Sequence, residues 1–227
     1  MRLHRFYVAD ELELKHDFWI HDERLVNQWR KVLRFQPGQE IVLFDGHTHD
    51  RLYRIEELSE KEAHVIHMTD FERKVPKSEI YLFFSLLKKD KSDWVLQKCT
   101  ELGVSHFVPL LADRSEKTGF NLERAQKIII EASEQCGRSD IPTVREPVQP
   151  STALDEFKDK MQLFICEQDS DGAELNLDEA GVLIGPEGGW SDKEKELFRT
   201  ENLPHLNLHD FTLRAETACV AAVTKLL

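Results

Sequence analysis

The chain is poor in the features that mark several large protein classes. Its four cysteines, Cys99, Cys136, Cys166 and Cys219, stand far apart with no Cys-x-x-Cys spacing, so neither a zinc site nor a thioredoxin-like motif is signalled. Reduced, mostly buried thiols are expected. No stretch approaches the roughly 18 to 20 apolar residues of a membrane span, and Met1-Arg2-Leu3-His4-Arg5 lacks the apolar core of a signal peptide. A cytoplasmic, membrane-free protein is expected. Internal repeats and low-complexity segments are missing, which argues against solenoids and disordered tails. No glycine loop ends in Lys-Ser or Lys-Thr, which disfavours a nucleotide enzyme built on a phosphate cradle. The ten histidines are scattered; His47-Thr48-His49, the only close pair, falls in an expected hairpin and reads as a solvated turn, so no metal is expected. Positive charge is also short, with 30 basic against 42 acidic residues and a net charge of −12.

What is present suits an ordinary folded protein of one large or two modest domains: 227 residues with 41% hydrophobic content. Residues 2–8, 40–44, 51–58 and 63–68 read as strands, with Asp45-Gly46 as a turn. One helix over 22–33 interrupts them, capped by Asp22, with Leu25, Trp29, Val32 and Leu33 on a single apolar stripe. That pattern predicts a small barrel-like module over residues 1–70, followed by a charged linker over 71–78 that carries Pro76. From 79 to 227 strands and helices alternate. Strands are expected at 80–87, 107–111, 163–166 and 182–184, and helices at 92–102 (Ser92 as cap, Gly103 closing), 121–135, 154–161 and 215–227. Alternation of this kind predicts an α/β domain with a mostly parallel sheet.

Two segments of that second domain carry the chemistry. Leu183-Ile184-Gly185-Pro186-Glu187-Gly188-Gly189-Trp190 follows one apolar run, and Leu213-Arg214-Ala215-Glu216-Thr217-Ala218 follows another at 206–208. Both therefore fall at the carboxyl ends of strands, where open α/β sheets bind ligands. Gly185, Gly188 and Gly189 can adopt positive φ and let a flat ligand lie on bare backbone. Ser191 and Glu194 form a capping-box pattern that starts a helix directly after the loop. Glu187 in the middle of the loop would repel an anion, so a neutral or cationic ligand is favoured; its plainer role is a helix-start acid. A glycine loop of this kind also serves as an ordinary tight turn.

Together these segments resemble the knotted (SPOUT) RNA methyltransferases, most closely the RsmE-type family that methylates uridine N3 in small-subunit ribosomal RNA. The resemblance extends to Lys98, Glu101-Leu102-Gly103-Val104, Pro109, Arg114, the run Glu131 to Arg138, Pro142, and upstream to Val32-Leu33-Arg34, Pro37-Gly38 and Phe44-Asp45-Gly46. It implies a SPOUT-like domain with a C-terminal trefoil knot over about 163–227, a preceding PUA-like β-barrel domain, and a homodimer. The implied cofactor is S-adenosyl-L-methionine, held by Gly185, Glu187, Gly188, Gly189, Leu208 and Leu213. Arg214 and Glu216 are the implied catalytic pair: Arg214 would meet RNA phosphate or the charge developing on the uracil oxygens, with Glu216 orienting it. A plain Arg214–Glu216 salt bridge is the alternative. The implied partner is 16S ribosomal RNA or the small ribosomal subunit.

An acidic chain that binds RNA must gather its cations locally. Clusters occur at Arg2 with Arg5, Arg30-Lys31 with Arg34, Lys88-Lys89 with Lys91, and Arg114 with Lys117. Arg5, Arg34, Lys88, Lys91, Arg114 and Arg138 are the candidate RNA contacts, although such clusters are also common on solvated faces. Three positions depart from the family: His209 stands for a glycine, Phe211 for an arginine and Ala125 for a tryptophan. A His at 209 is expected to crowd the cofactor loop, and loss of the arginine removes a substrate contact. These departures keep open a second reading, a catalytically weak or silent relative that binds ribosomal RNA during small-subunit assembly. No general base stands out.

Overall fold

The structure, a computed structural model, describes residues 3–9, 12, 15–116, 119–166 and 179–227, apart from the Lys89 side chain. Arg2, Lys117, the Lys89 side chain and residues 167–178 of the expected knot lie outside the described residues. The chain folds as two compact units, Met1–Val75 with Ser133–Ile141, and Pro76–Ala132 with Pro142–Leu227.

The first unit is a five-stranded sheet of β1 (His4–Tyr7), β2 (Asp17–Ile20), β3 (Glu40–Phe44), β4 (Asp50–Leu58) and β5 (Ala63–Phe71), in the order β1-β3-β4-β5-β2. Only the β1–β3 pair is parallel. Helix α1 (Glu23–Asn27) is capped by Asp22, whose carboxylate accepts from the amides of Arg24 and Leu25, and it runs on as a π-helical turn over Gln28–Val32. That wider turn alters the expected stripe: Leu25, Val26 and Trp29 are buried, whereas Val32 points outward at 72% exposure. Arg34 ends the turn at φ 56°. Segment 133–141 joins this unit through a buried polar knot. Asp50 accepts from Arg5 and, at 2.7 Å, from the Ser139 hydroxyl; the Lys74 amide donates to Ser139 Oγ at 2.8 Å. Residues 72–75, part of the expected linker, thus lie within the first unit.

In the second unit β6 (Glu79–Ser85), β7 (His106–Leu110), β8 (Thr143–Val144), β9 (Gln162–Ile165) and β10 (Glu179–Ile184) form an all-parallel sheet in the order β8-β7-β6-β10-β9. Central strands of such a sheet are covered on both faces, which is why β6 and β10 read as continuous apolar runs. Gly181 in β10 is required by close packing: a Cβ there would stand 2.5 Å from Leu163 and 2.7 Å from Phe83. The helices are α2 (Lys89–Leu102), α3 (Leu122–Cys136), α4 (Pro150–Phe157), α5 (Asp192–Thr200) and α6 (Ala215–Leu226). Gly103 closes α2 at φ 103°, as its position predicts. Ser92 is not the cap; α2 begins one turn earlier, and the buried Ser92 hydroxyl donates to the Leu87 carbonyl. Helix α4 starts four residues before the predicted point because Pro150 at its first turn is pre-set for helical φ. The run 206–208 is not a strand; a single parallel bridge joins His205 to Ile165 there. Helix α6 packs on α2, β6 and β10, and Cys99 and Cys219 are fully buried.

A candidate cofactor cleft at the ends of β9 and β10

The chain leaves β10 at Ile184 and turns at once. The Gly189 amide donates to the Pro186 carbonyl at 2.8 Å, and Gly189 carries the positive φ (66°) that the turn needs. Gly185 and Gly188 do not share it, contrary to expectation. Their lack of a side chain answers close approach instead. A Cβ on Gly185 would lie 3.0 Å from the Trp190 ring, and one on Gly188 would lie 3.3 Å from Arg114 Cβ. The buried Trp190 packs edge-on against Phe198 at 4.9 Å, and its Nε1 has no hydrogen-bond partner among the described residues.

A four-part network fixes the loop's exit into α5. Ser191 Oγ accepts from the Glu194 amide at 3.2 Å and donates to Asp113 at 2.6 Å. The Glu194 carboxylate accepts from the Ser191 amide at 2.7 Å and from the Asp113 amide at 2.9 Å. The predicted capping box is therefore complete, and it also anchors the loop that follows β7.

The second wall comes from residues 208–215, which lead into α6. Between the two walls is a cleft of about 600 Å³, lined among others by Cys166, Gly185, Pro186, Glu187, Gly189, Trp190, Leu208, Leu213 and Arg214. Such a volume lies in the range typical of small-molecule sites. Of the predicted cofactor residues, Gly185, Glu187, Gly189, Leu208 and Leu213 line the cleft, whereas Gly188 faces Arg114, whose Nη1 donates to the Gly188 carbonyl at 3.2 Å.

Lys91 joins the two walls. Its ammonium lies 3.2 Å from Glu187 and 3.4 Å from Glu216. The hydrogen bond to Glu187, reinforced by Glu216, holds the Lys91 pKa above its ordinary value. Two carboxylates against one ammonium leave this cluster with one negative charge, which suits a cationic ligand. Glu216 therefore pairs with Lys91 and not with Arg214. The exposed Arg214 side chain lines the cleft and makes no ion pair among the described residues.

Lys91, expected from its basic cluster to contact RNA, is thus committed to carboxylates. No spacing rule links residue 91 to residues 187 and 216, so the sequence does not announce the bridge. Two other expected RNA contacts are also committed elsewhere: Arg5 is tied to Asp50 and lies over the Phe44 ring, and the buried Arg138 is paired with Asp140. Arg34, Lys88 and Arg114 remain exposed, Lys88 with a loose 3.8 Å pairing to Glu116.

Among the cleft's titratable groups, the Cys166 thiol is pushed up to about 12 by burial and stays protonated at neutral pH. His209 Nδ1 accepts the Phe211 amide at 3.1 Å, so in the neutral ring Nε2 carries the proton and no lone pair is free to act as base. Among the described residues no group of three or more His, Cys, Asp or Glu could hold a metal, and no helix is long and apolar enough to cross a membrane.

A parallel α/β sheet with a glycine-loop cleft, in a chain that also carries a small β unit, is the arrangement of an RNA methyltransferase. The family model for the RNA methyltransferase domain matches residues 55–227, and that for the RNA methyltransferase PUA domain matches residues 30–66. Ribosomal RNA small subunit methyltransferase E of Aquifex aeolicus is 30% identical over 205 residues, covering 87% of this chain and 89% of its own; that of Rickettsia conorii is 25% identical over 235 residues, covering 99% and 95%. Ribosomal RNA small subunit methyltransferase E of Neisseria gonorrhoeae, solved bound to S-adenosyl methionine, superposes with a TM-score of 0.89 at 27% identity, covering 98% of this chain and 96% of its own. The chain belongs to the ribosomal RNA small subunit methyltransferase E family.

Proposed function

We propose that this protein transfers the methyl group of S-adenosylmethionine to N3 of a uridine in 16S ribosomal RNA. The observation that carries this reading is the cleft at the ends of β9 and β10, with its glycine turn, indole wall and acidic Lys91 cluster. The residues fit the cofactor. Gly185 and Gly189 would expose backbone to a flat adenine, the buried Trp190 Nε1 is a donor without a partner among the described residues, and the net negative charge at Glu187 and Glu216 favours a sulfonium. Bound there, the cofactor supplies an activated methyl group. This chain's residues then hold the acceptor base in line with it, an effect that can account for much of the acceleration. Arg214, free of protein carboxylates among the described residues, would stabilise charge developing on the uracil oxygens through bidentate bonds. Cys166 and His209 offer no base, so the imide proton would pass to water or hydroxide, or to the Glu187 carboxylate that also lines the cleft.

The same reading includes a C-terminal knot over about 163–227, a homodimer and a cytoplasmic location. Support for the knot lies in the sheet order β6-β10-β9 with the His205 bridge beside Ile165. The test is methylation of small ribosomal subunits from cells lacking the gene. Tritium transfer from labelled S-adenosylmethionine, with mass spectrometry placing the methyl on a uridine N3, is expected. Cofactor binding by calorimetry without transfer to any subunit RNA would favour the silent RNA-binding relative instead.

A further inference from the structure

Two aromatic rings of the cleft's second wall are in contact. His209 and Phe211 stack with ring centroids 5.2 Å apart and planes inclined by 28°. The Phe211 amide donates to His209 Nδ1 at 3.1 Å, which fixes the pair's geometry from the backbone. Both rings line the cleft, yet both are solvent-exposed, Phe211 at 74%. At that exposure the Phe211 ring adds nothing to the chain's own core. Arg214, also exposed and without a protein ion-pair partner among the described residues, lines the same cleft three residues on.

We propose that the His209–Phe211 stack is a platform for an unpaired nucleobase of the RNA substrate, next to the cofactor and distinct from its floor. The inference rests on the methyltransferase reading above. A base offers a flat π-face that stacks on an aromatic ring whatever its sequence, which suits a surface that must accept a splayed-out nucleotide. Of the residues lining the cleft, Trp190 is buried and would face the cofactor with the glycine turn, whereas Phe211 is 74% exposed and open to solvent. His209 acts by ordering Phe211, and Phe211 makes the contact. His209 is thus a positioning residue and Phe211 a substrate-binding one; neither touches the leaving proton or the methyl.

The test compares steady-state methylation, cofactor calorimetry and RNA affinity for the wild type and for Phe211→Ala, Phe211→Leu, Phe211→Trp and His209→Ala. Removing one base–aromatic stack is expected to raise the KM for RNA by roughly 10-fold. S-adenosylmethionine affinity and melting temperature should not change. Phe211→Leu, which keeps apolar area but loses the ring, should behave like Phe211→Ala, and Phe211→Trp should restore wild-type KM. His209→Ala should show a smaller effect in the same direction. A stacking contact carries no charge, so the slope of log affinity against log salt should be the same in the wild type and in Phe211→Ala, whereas loss of a phosphate contact lowers it by about one. The platform is refuted if the wild type methylates RNA and Phe211→Ala matches it in KM. It is equally refuted if Phe211→Ala weakens cofactor binding to the same extent, since the ring would then belong to the cofactor site. A wild type that binds cofactor and methylates no RNA instead overturns the methyltransferase reading.

Discussion

Replacing Glu194 with alanine should loosen the cofactor cleft without touching it. Glu194 does not line the cleft, and it is only 6% exposed. Its carboxylate accepts two backbone amides, Ser191 at 2.7 Å and Asp113 at 2.9 Å, which belong to different loops. Truncation leaves both part-buried donors without their carboxylate acceptor. Hydrogen bonds to charged groups contribute about 1.5 to 3 kcal/mol each, so taking the lower value for both gives a loss of about 3 kcal/mol. For a chain of this size each kcal/mol lowers the melting temperature by about 2 to 4 °C, which predicts a fall of about 6 to 12 °C. Gln at this position keeps one good acceptor but sets its NH₂ against the other amide, so roughly half the loss is expected. Differential scanning calorimetry gives the stability term, and titration calorimetry with S-adenosylmethionine gives its consequence for the glycine turn, which should be weaker binding in Glu194→Ala. A melting temperature within about 1 °C of wild type would refute the reasoning, because two part-buried amides cannot lose a charged acceptor without a measurable cost.

Arg214→Ala should leave melting temperature and cofactor affinity unchanged yet lower the methylation rate by roughly 10² or more, and Lys should rescue little because a point charge cannot reproduce the planar fork; a variant that is unstable but fully active once folded would contradict this. Lys91→Met leaves Glu187 and Glu216 repelling each other without their shared cation, which would part the segments they hold together; weaker S-adenosylmethionine binding by calorimetry is therefore expected even though the cluster becomes more negative, with Lys91→Arg close to wild type. Burial tends to raise the pKa of Asp45, but the Thr48 hydroxyl and the amides of Thr48, His47 and His49 outweigh it and hold the group far below the usual carboxylate range. A depressed folded-state pKa stabilises above the unfolded value of about 3.9 and is lost as pH falls below it, so the melting-temperature gap between wild type and Asp45→Asn should narrow below about pH 4. Arg34→Ala, at an exposed site, should reduce the salt slope of affinity for a small-subunit RNA fragment by about one unit.

Periodicity makes the second unit legible. Continuous apolar runs, helical stripes, Gly103 and the Ser191–Glu194 box are local signals, and the structure places each close to where those signals point. What cannot be read depends on contacts between distant residues. β2 is short and its exposed faces carry Asp17 and Trp19, so no alternation announces it; β8 is two residues long and exists only because β7 offers an edge. Segment 133–141 reads as the end of a helix and a loop, yet Ser139 makes it part of the first unit through Asp50 and Lys74.

The charge problem turns on the same distinction. Counting cations along the chain suggests several basic clusters, whereas the structure assigns Arg5 to Asp50, Arg138 to Asp140 and Lys91 to two carboxylates. Those pairs take three of the six candidate contacts out of play for RNA phosphate. They leave Arg34 in the first unit and Lys88 and Arg114 in the second, to which the cleft adds Arg214; Arg114 lies at the glycine turn. A net charge of −12 then penalises nonspecific attachment to duplex phosphate while leaving these points of contact intact. Affinity built this way must draw a larger share from contacts that salt does not screen, and base stacking is the chief one available. The exposed ring of Phe211, which lines the cleft beside Arg214, is a contact of that kind.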